Sequence, residues 1–77
     1  MLFSHKKMVI YLSGMHCSNC LDRIRKSLSE EDNIKKVKGN IERQEVVIIY
    51  RDTVDVERLK EIIEKLGYLV TGIKNID

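Results

Sequence analysis

Two cysteines, Cys17 and Cys20, stand two residues apart in the heptapeptide Gly-Met-His-Cys-Ser-Asn-Cys, residues 14–20, and the chain holds no others. A thiolate is the form that binds soft metals or attacks a disulfide, whereas an ordinary thiol, with a pKa of about 8.5, is mostly protonated at neutral pH. The heptapeptide lies between an apolar run and an amphipathic segment, which puts Cys17 on a loop and Cys20 in the first turn of the following helix. Unpaired backbone N–H groups and the positive end of the helix dipole stabilise an anion at such a corner, so the cost of thiolate charge falls. With two residues between them at a loop-helix junction, both sulfurs can turn toward one point. A converging pair with no further strong ligand suits a soft ion of low coordination number, and Cu(I) leads the candidates.

Two other chemistries use the same residues. A structural Zn(II) site wants four protein ligands, and this chain offers one Cys-x-x-Cys, His16 and the distant His5, so a partner chain or solvent would have to complete it. Thiol-disulfide exchange also places Cys-x-x-Cys beside a strand-helix corner. Here Ser18 and Asn19 separate the cysteines, the strand pattern is not that of a thioredoxin-like enzyme, and a chain without proline has no cis-proline to offer. Spacing and context favour metal binding. His16 has two readings, a solvated loop residue or a weak extra ligand, and His5 reads as surface in a ragged N-terminal stretch.

The elements that must position the pair are short. Met8, Ile10 and Leu12 alternate with Val9, Tyr11 and Ser13, which predicts a strand whose inner face carries the first three, broken by Gly14. From Ser18 onward Leu21, Ile24 and Leu28 recur at offsets of three and four among charged residues, the pattern of an amphipathic helix ending in the polar stretch 29–32. A second strand is expected over residues 34–41, carrying Ile34, Val37 and Ile41, then a turn at 42–45 and a strand through Val46, Val47, Ile48, Ile49 and Tyr50. Asp55 is the expected N-cap of a second helix with an apolar stripe of Val56, Leu59, Ile62, Ile63 and Leu66, ending at Gly67. Residues 68–74 make a last strand. The order βαββαβ implies an α+β, ferredoxin-like sandwich: a four-stranded antiparallel sheet with both helices on one face. The other face is open, and Val47 and Ile49 point there if Val46, Ile48 and Tyr50 face the helices.

Size and composition bound the rest. The 77 residues are expected to form one domain over 1–77 with a core of about 6–74, and 43% hydrophobic against 34% charged content describes a folded chain rather than a disordered one. No apolar run approaches the length of a membrane span. The N-terminal residues lack the pattern of a secretory signal, so the cytoplasm is the expected compartment, and its reducing pool argues against a structural disulfide. A net charge of +2 with one Phe, three Tyr and no Trp argues against nucleic-acid binding.

The heptapeptide resembles the Gly-Met-x-Cys-x-x-Cys signature of the heavy-metal-associated domain family, which includes small cytosolic copper chaperones of the CopZ type and the N-terminal domains of copper-transporting P-type ATPases. The likeness extends to the element order, to Asn40, Ile41 and Glu42 before the central hairpin, and to Leu66, Gly67 and Tyr68 before the last strand. By this resemblance Cys17 and Cys20 match the metal-binding cysteines, with Gly14 in the same loop. Met15 matches a methionine that packs beneath the loop as a hydrophobic tether. Tyr68 matches a position close to the metal where bacterial copper chaperones commonly carry tyrosine. The resemblance implies a Cu(I) metallochaperone, not an enzyme, that delivers copper to a copper-transporting P-type ATPase or another Cys-x-x-Cys domain, with a metal-bridged homodimer as a further possibility.

Alternatives to this reading are a regulatory metal-binding domain of a heavy-metal P-type ATPase, other cargo such as Zn(II), Hg(II) or Cd(II), and a thiol-disulfide oxidoreductase. A start at Met1 with no trailing linker favours the stand-alone carrier. Mercury-binding relatives are exported proteins, and zinc or cadmium domains often add a carboxylate beside the cysteines, where this loop has His16. Arg23, Arg25, Lys26, Lys35, Lys36 and Lys38 read as solvated faces that an acidic partner would complement. Gly39 departs from the family, which usually has a branched apolar residue there, so a bulge or a small core deficit is expected at that point.

Overall fold

The computed structural model describes residues 5–76. Its elements are β1 (His5–Ser13), α1 (Ser18–Ser29), β2 (Ile34–Asn40), β3 (Glu45–Arg51), α2 (Val56–Lys65) and β4 (Leu69–Ile76). The four strands form one antiparallel sheet in the order β2-β3-β1-β4. This is the ferredoxin-like α+β arrangement that the element order implies.

Alternation sorts the sheet into two faces. Met8, Ile10 and Leu12 of β1 and Val46, Ile48 and Tyr50 of β3 are buried together with Ile24 and Leu28 of α1 and Leu59 and Ile63 of α2. Cross-strand partners point the same way, so the pairings of Val9 with Val47 and Lys74, and of Ile49 with Lys7 and Lys36, put these residues on the open face. Val9 differs from the expected alternation. It is buried although it faces away from the helices, because it sits mid-sheet between Val47 and Lys74.

Helix α2 is closed at both ends by local chemistry. The Asp55 carboxylate accepts from the Arg58 N–H at 3.2 Å, supplying one of the partners that a first turn lacks. At the other end Gly67 takes φ +102°, its N–H donates to the Glu64 carbonyl at 3.0 Å, and the Tyr68 N–H reaches back to Ile63 O at 3.3 Å. This pair of bonds is the Schellman arrangement, which needs a left-handed residue after the cap. It turns the chain sharply and delivers Tyr68 to the cysteine end of the sheet.

Several boundaries differ from the sequence pattern. Ile41 lies in the turn rather than in β2, the last strand starts after Tyr68 and runs to Ile76, and His5 is the first residue of β1, paired with Arg51. Gly39 leaves neither a deficit nor a bulge. A Cβ there would run into the Leu21 side chain, so Leu21 of α1 fills the space that a branched residue would take. The register shift of β2 against β3 lies between Ile34 and Lys36 instead.

Candidate metal centre

Residues 14–17 cross from the end of β1 to the start of α1. Gly14 turns the chain at φ +99°, a conformation costly for any residue with a Cβ. An added Cβ would also lie 3.4 Å from Tyr68 Cδ1, so the ring of Tyr68 is set directly against the loop. The Met15 side chain is completely buried in the core beneath it. His16 and Cys17 are exposed and Cys20 half-buried.

Cys17 is the N-cap of α1, extended at φ −141° and ψ 159°. Its Sγ accepts from the Cys20 N–H at 3.2 Å, and its carbonyl accepts from the Leu21 N–H at 3.2 Å. A sulfur therefore occupies the place where an N-cap oxygen usually sits. The first turn of α1 contains no acidic residue, so nothing in the helix itself neutralises its positive end.

The two sulfurs are joined as a disulfide, with the Cα atoms 5.2 Å apart, and no cysteine among the described residues is free. Free thiols are the expectation for a reducing compartment, and the structure has the pair joined instead. The pairing follows from the corner itself: an N-cap residue and the residue three further on bring their Cα atoms within the range that a disulfide spans. Reduction by two electrons, with uptake of two protons, returns two thiols at the same point. Among the described residues no group of three or more His, Cys, Asp or Glu side chains is placed to hold a metal ion. His16 therefore does not gather with the cysteines, and the chain brings two sulfur donors to this corner.

One contributor has no counterpart in the sequence reading. Gln44, in the turn between β2 and β3, accepts from the Met15 N–H at 3.1 Å through Oε1. Its Nε2 donates to the Met15 carbonyl and to Ile41 O at 2.7 Å. Read from sequence it is one polar residue in a turn. Only the tertiary approach of two segments distant in the chain reveals the contact.

A model of the heavy-metal-associated domain matches residues 9–68, a span that contains the cysteine loop, Gln44 and Tyr68. The chain belongs to the heavy-metal-associated domain family. This heavy-metal-associated domain is 33% identical over 63 residues to the probable copper-importing P-type ATPase A of Enterococcus hirae, covering 82% of the chain but 8% of that protein. It is 30% identical over 69 residues to the mercuric transport protein periplasmic component of Pseudomonas fluorescens, covering 88% of the chain and 75% of the relative. Among solved structures, a CopZ metallochaperone superposes with a TM-score of 0.80 at 29% identity, over 84% of this chain and 98% of the other. The domain is thus a metal-binding module related to copper chaperones and to P-type ATPase domains. No helix among the described residues is long and apolar enough to cross a membrane.

Proposed function

We propose that this domain carries one Cu(I) as cargo between Cys17 and Cys20 and passes it to another cysteine pair. The observation that carries the reading is the meeting of two sulfurs at the uncompensated positive end of α1, with no third ligand gathered beside them among the described residues. Reduced to thiolates, two soft donors suit a soft monovalent ion. An ion held by two ligands remains open to a third, so an incoming thiolate can add before an original one leaves. Low coordination thereby reconciles firm holding with fast transfer. The copper-related names among the relatives support this cargo.

The receiving pair would belong to a copper-transporting P-type ATPase or another Cys-x-x-Cys domain, and the working compartment would be the cytoplasm. The exposed Arg23, Arg25 and Lys26 on α1 favour an acidic partner by speeding encounter. The same chemistry serves a regulatory domain within a pump. Tyr68, against Gly14, shields the loop from the α2 side, and Met15 anchors it from below. In this reading the domain is a carrier and not an enzyme.

The likeness to a mercuric transport protein makes Hg(II) the second cargo to weigh. The joined sulfurs make thiol-disulfide exchange the second activity. Competitive titration of the reduced domain with Cu(I), Zn(II), Cd(II) and Hg(II) separates the cargoes; preference for Zn(II) would refute the Cu(I) assignment. An insulin-reduction assay separates the activities, and a carrier is expected to give no turnover. Because the buried cluster is built without the metal, the reduced metal-free domain is expected to show a folded circular dichroism spectrum. A chain that folds only on metal addition would contradict it.

A further inference from the structure

We propose that Gln44 is the positioning residue of the cysteine loop: its carboxamide, reaching from the β2–β3 turn, grips both sides of the Met15 peptide and holds residues 14–17 in the form that presents the two sulfurs together. The proposal rests on the reading of Cys17 and Cys20 as the cargo site.

Met15 lies outside every strand and helix, so a ladder does not supply partners for its backbone, yet its side chain is fully buried. Polar backbone groups in such surroundings need hydrogen bonds. Gln44 supplies both, accepting from the N–H and donating to the carbonyl. Exchange of two bonds with one residue is what a strand residue does in an antiparallel ladder. The carboxamide therefore acts as a substitute peptide group. It continues the β1–β3 pairing, whose last rung joins Tyr11 to Glu45 and which the Leu12 N–H extends to Gln44 O at 3.0 Å.

The chemistry selects glutamine. The second Nε2 hydrogen donates to Ile41 O, so two carbonyls face the nitrogen and one N–H faces the oxygen, and only one orientation of the amide satisfies all three. Glutamate keeps the acceptor but has no N–H for the two carbonyls. Methionine keeps the length and loses every bond. Asparagine is one methylene short. The backbone of Gln44 is itself committed to this post: it adopts a left-handed φ of +51°, unfavourable for a residue with a Cβ, and its N–H closes the turn onto Ile41 O at 3.2 Å. Anchored at Leu12 and at Met15, Gln44 brackets Gly14, the hinge of the loop. Cys17 follows two residues after Met15. Loop freedom removed before the ion arrives need not be lost on binding, and this is how a residue remote from the metal raises affinity.

The test uses the reduced, metal-free domain and two variants, Gln44→Met and Gln44→Glu. In the wild type the Met15 amide is expected to exchange with solvent far more slowly than an open loop amide, and in Gln44→Met at close to the open rate, while the amides of Ile10 and Ile48 stay protected. Cu(I) affinity, measured by competition with a chromophoric chelator, is expected to fall by about tenfold or more, the range typical of losing an outer-shell partner. A freely exchanging Met15 amide in the wild type overturns the proposal. So does a Gln44→Met domain with a lowered melting temperature but wild-type Cu(I) affinity, since that is the signature of a merely structural residue. Should Gln44→Met fail to fold, Gln44→Glu, which keeps the acceptor for the Met15 N–H and loses both donor bonds, is read by Cu(I) affinity against melting temperature alone, and the wild-type exchange rate decides without any variant. A wild type that takes up no Cu(I) would refute the cargo reading alone, because the exchange measurement still judges the grip of Gln44 on Met15.

Discussion

At the start of α1 the capping atom is the Cys17 sulfur, 3.2 Å from the Cys20 N–H, and at the start of α2 it is an Asp55 carboxylate oxygen, 3.2 Å from the Arg58 N–H. The two ends do the same geometric task with opposite electrostatics. Asp55, followed by Glu57 in the first turn, sets negative charge against the positive end of α2. The corresponding end of α1 has no acid. Its surroundings differ as well. Near α2 the polar groups are spent on one another: Asn33 donates to Thr53 O at 2.8 Å, and the Arg58 Nε donates to Glu31 at 3.2 Å. That contact is the main reason the Arg58 guanidinium holds its proton more firmly than usual. Near α1 the loop is held by an uncharged amide and a buried thioether, and the sulfurs stay accessible. A stable cap and a reactive one cannot be the same atom. Sulfur at an N-cap is a weaker choice than oxygen, and a local rule broken in this way is the mark of a site kept for chemistry.

The largest effect should come from moving an oxygen into the reactive position. Cys17→Ser retains a capping side chain, so under reducing conditions its melting temperature should match or exceed that of the wild type. Cu(I) affinity should fall by more than the ~10–100-fold that loss of an outer-shell partner costs, and titration of the variant against a chelator reads this directly. Unchanged affinity would erase the distinction between the two caps.

A smaller loss is expected where α1 is keyed into the sheet. Gly39→Val would force Leu21 aside, and overpacking of this kind costs about 1–3 kcal/mol. Chemical denaturation of the reduced domain measures it, and a stabilised variant would show that the glycine marks an unfilled space after all.

At the other cap, Asp55→Ala should cost about 1 kcal/mol in denaturant unfolding and leave Cu(I) binding untouched. A matching drop in metal affinity would mean that the two ends are coupled rather than separate in purpose. The smallest effect belongs to Arg58→Ala. Arg58 and its partner Glu61 are exposed and Glu31 is half-buried, so water reaches the guanidinium and screens both pairs, and no resolvable change in melting temperature is expected.

The chain's own pattern determined the element order, the inner faces of β1 and β3, both helices, the Asp55 cap and the cysteine corner, because each follows from periodicity or from residues adjacent in the chain. Residues 1–4 and 77 lie outside the described structure. What only the tertiary structure decided concerns pairs far apart in sequence. Leu21 fills the place opposite Gly39, so an apparent gap is a fitted contact. Tyr68 meets Gly14 because the turn at Gly67 aims it there. Val9 is buried on the open face only because β1 lies between β3 and β4. Gln44 shows the limit most plainly: an amide in a turn has no periodicity to betray it, and its partner Met15 is 29 positions away. Local patterns record how a segment satisfies itself, whereas a hydrogen bond between distant segments exists only once the packing of the sheet has brought them together.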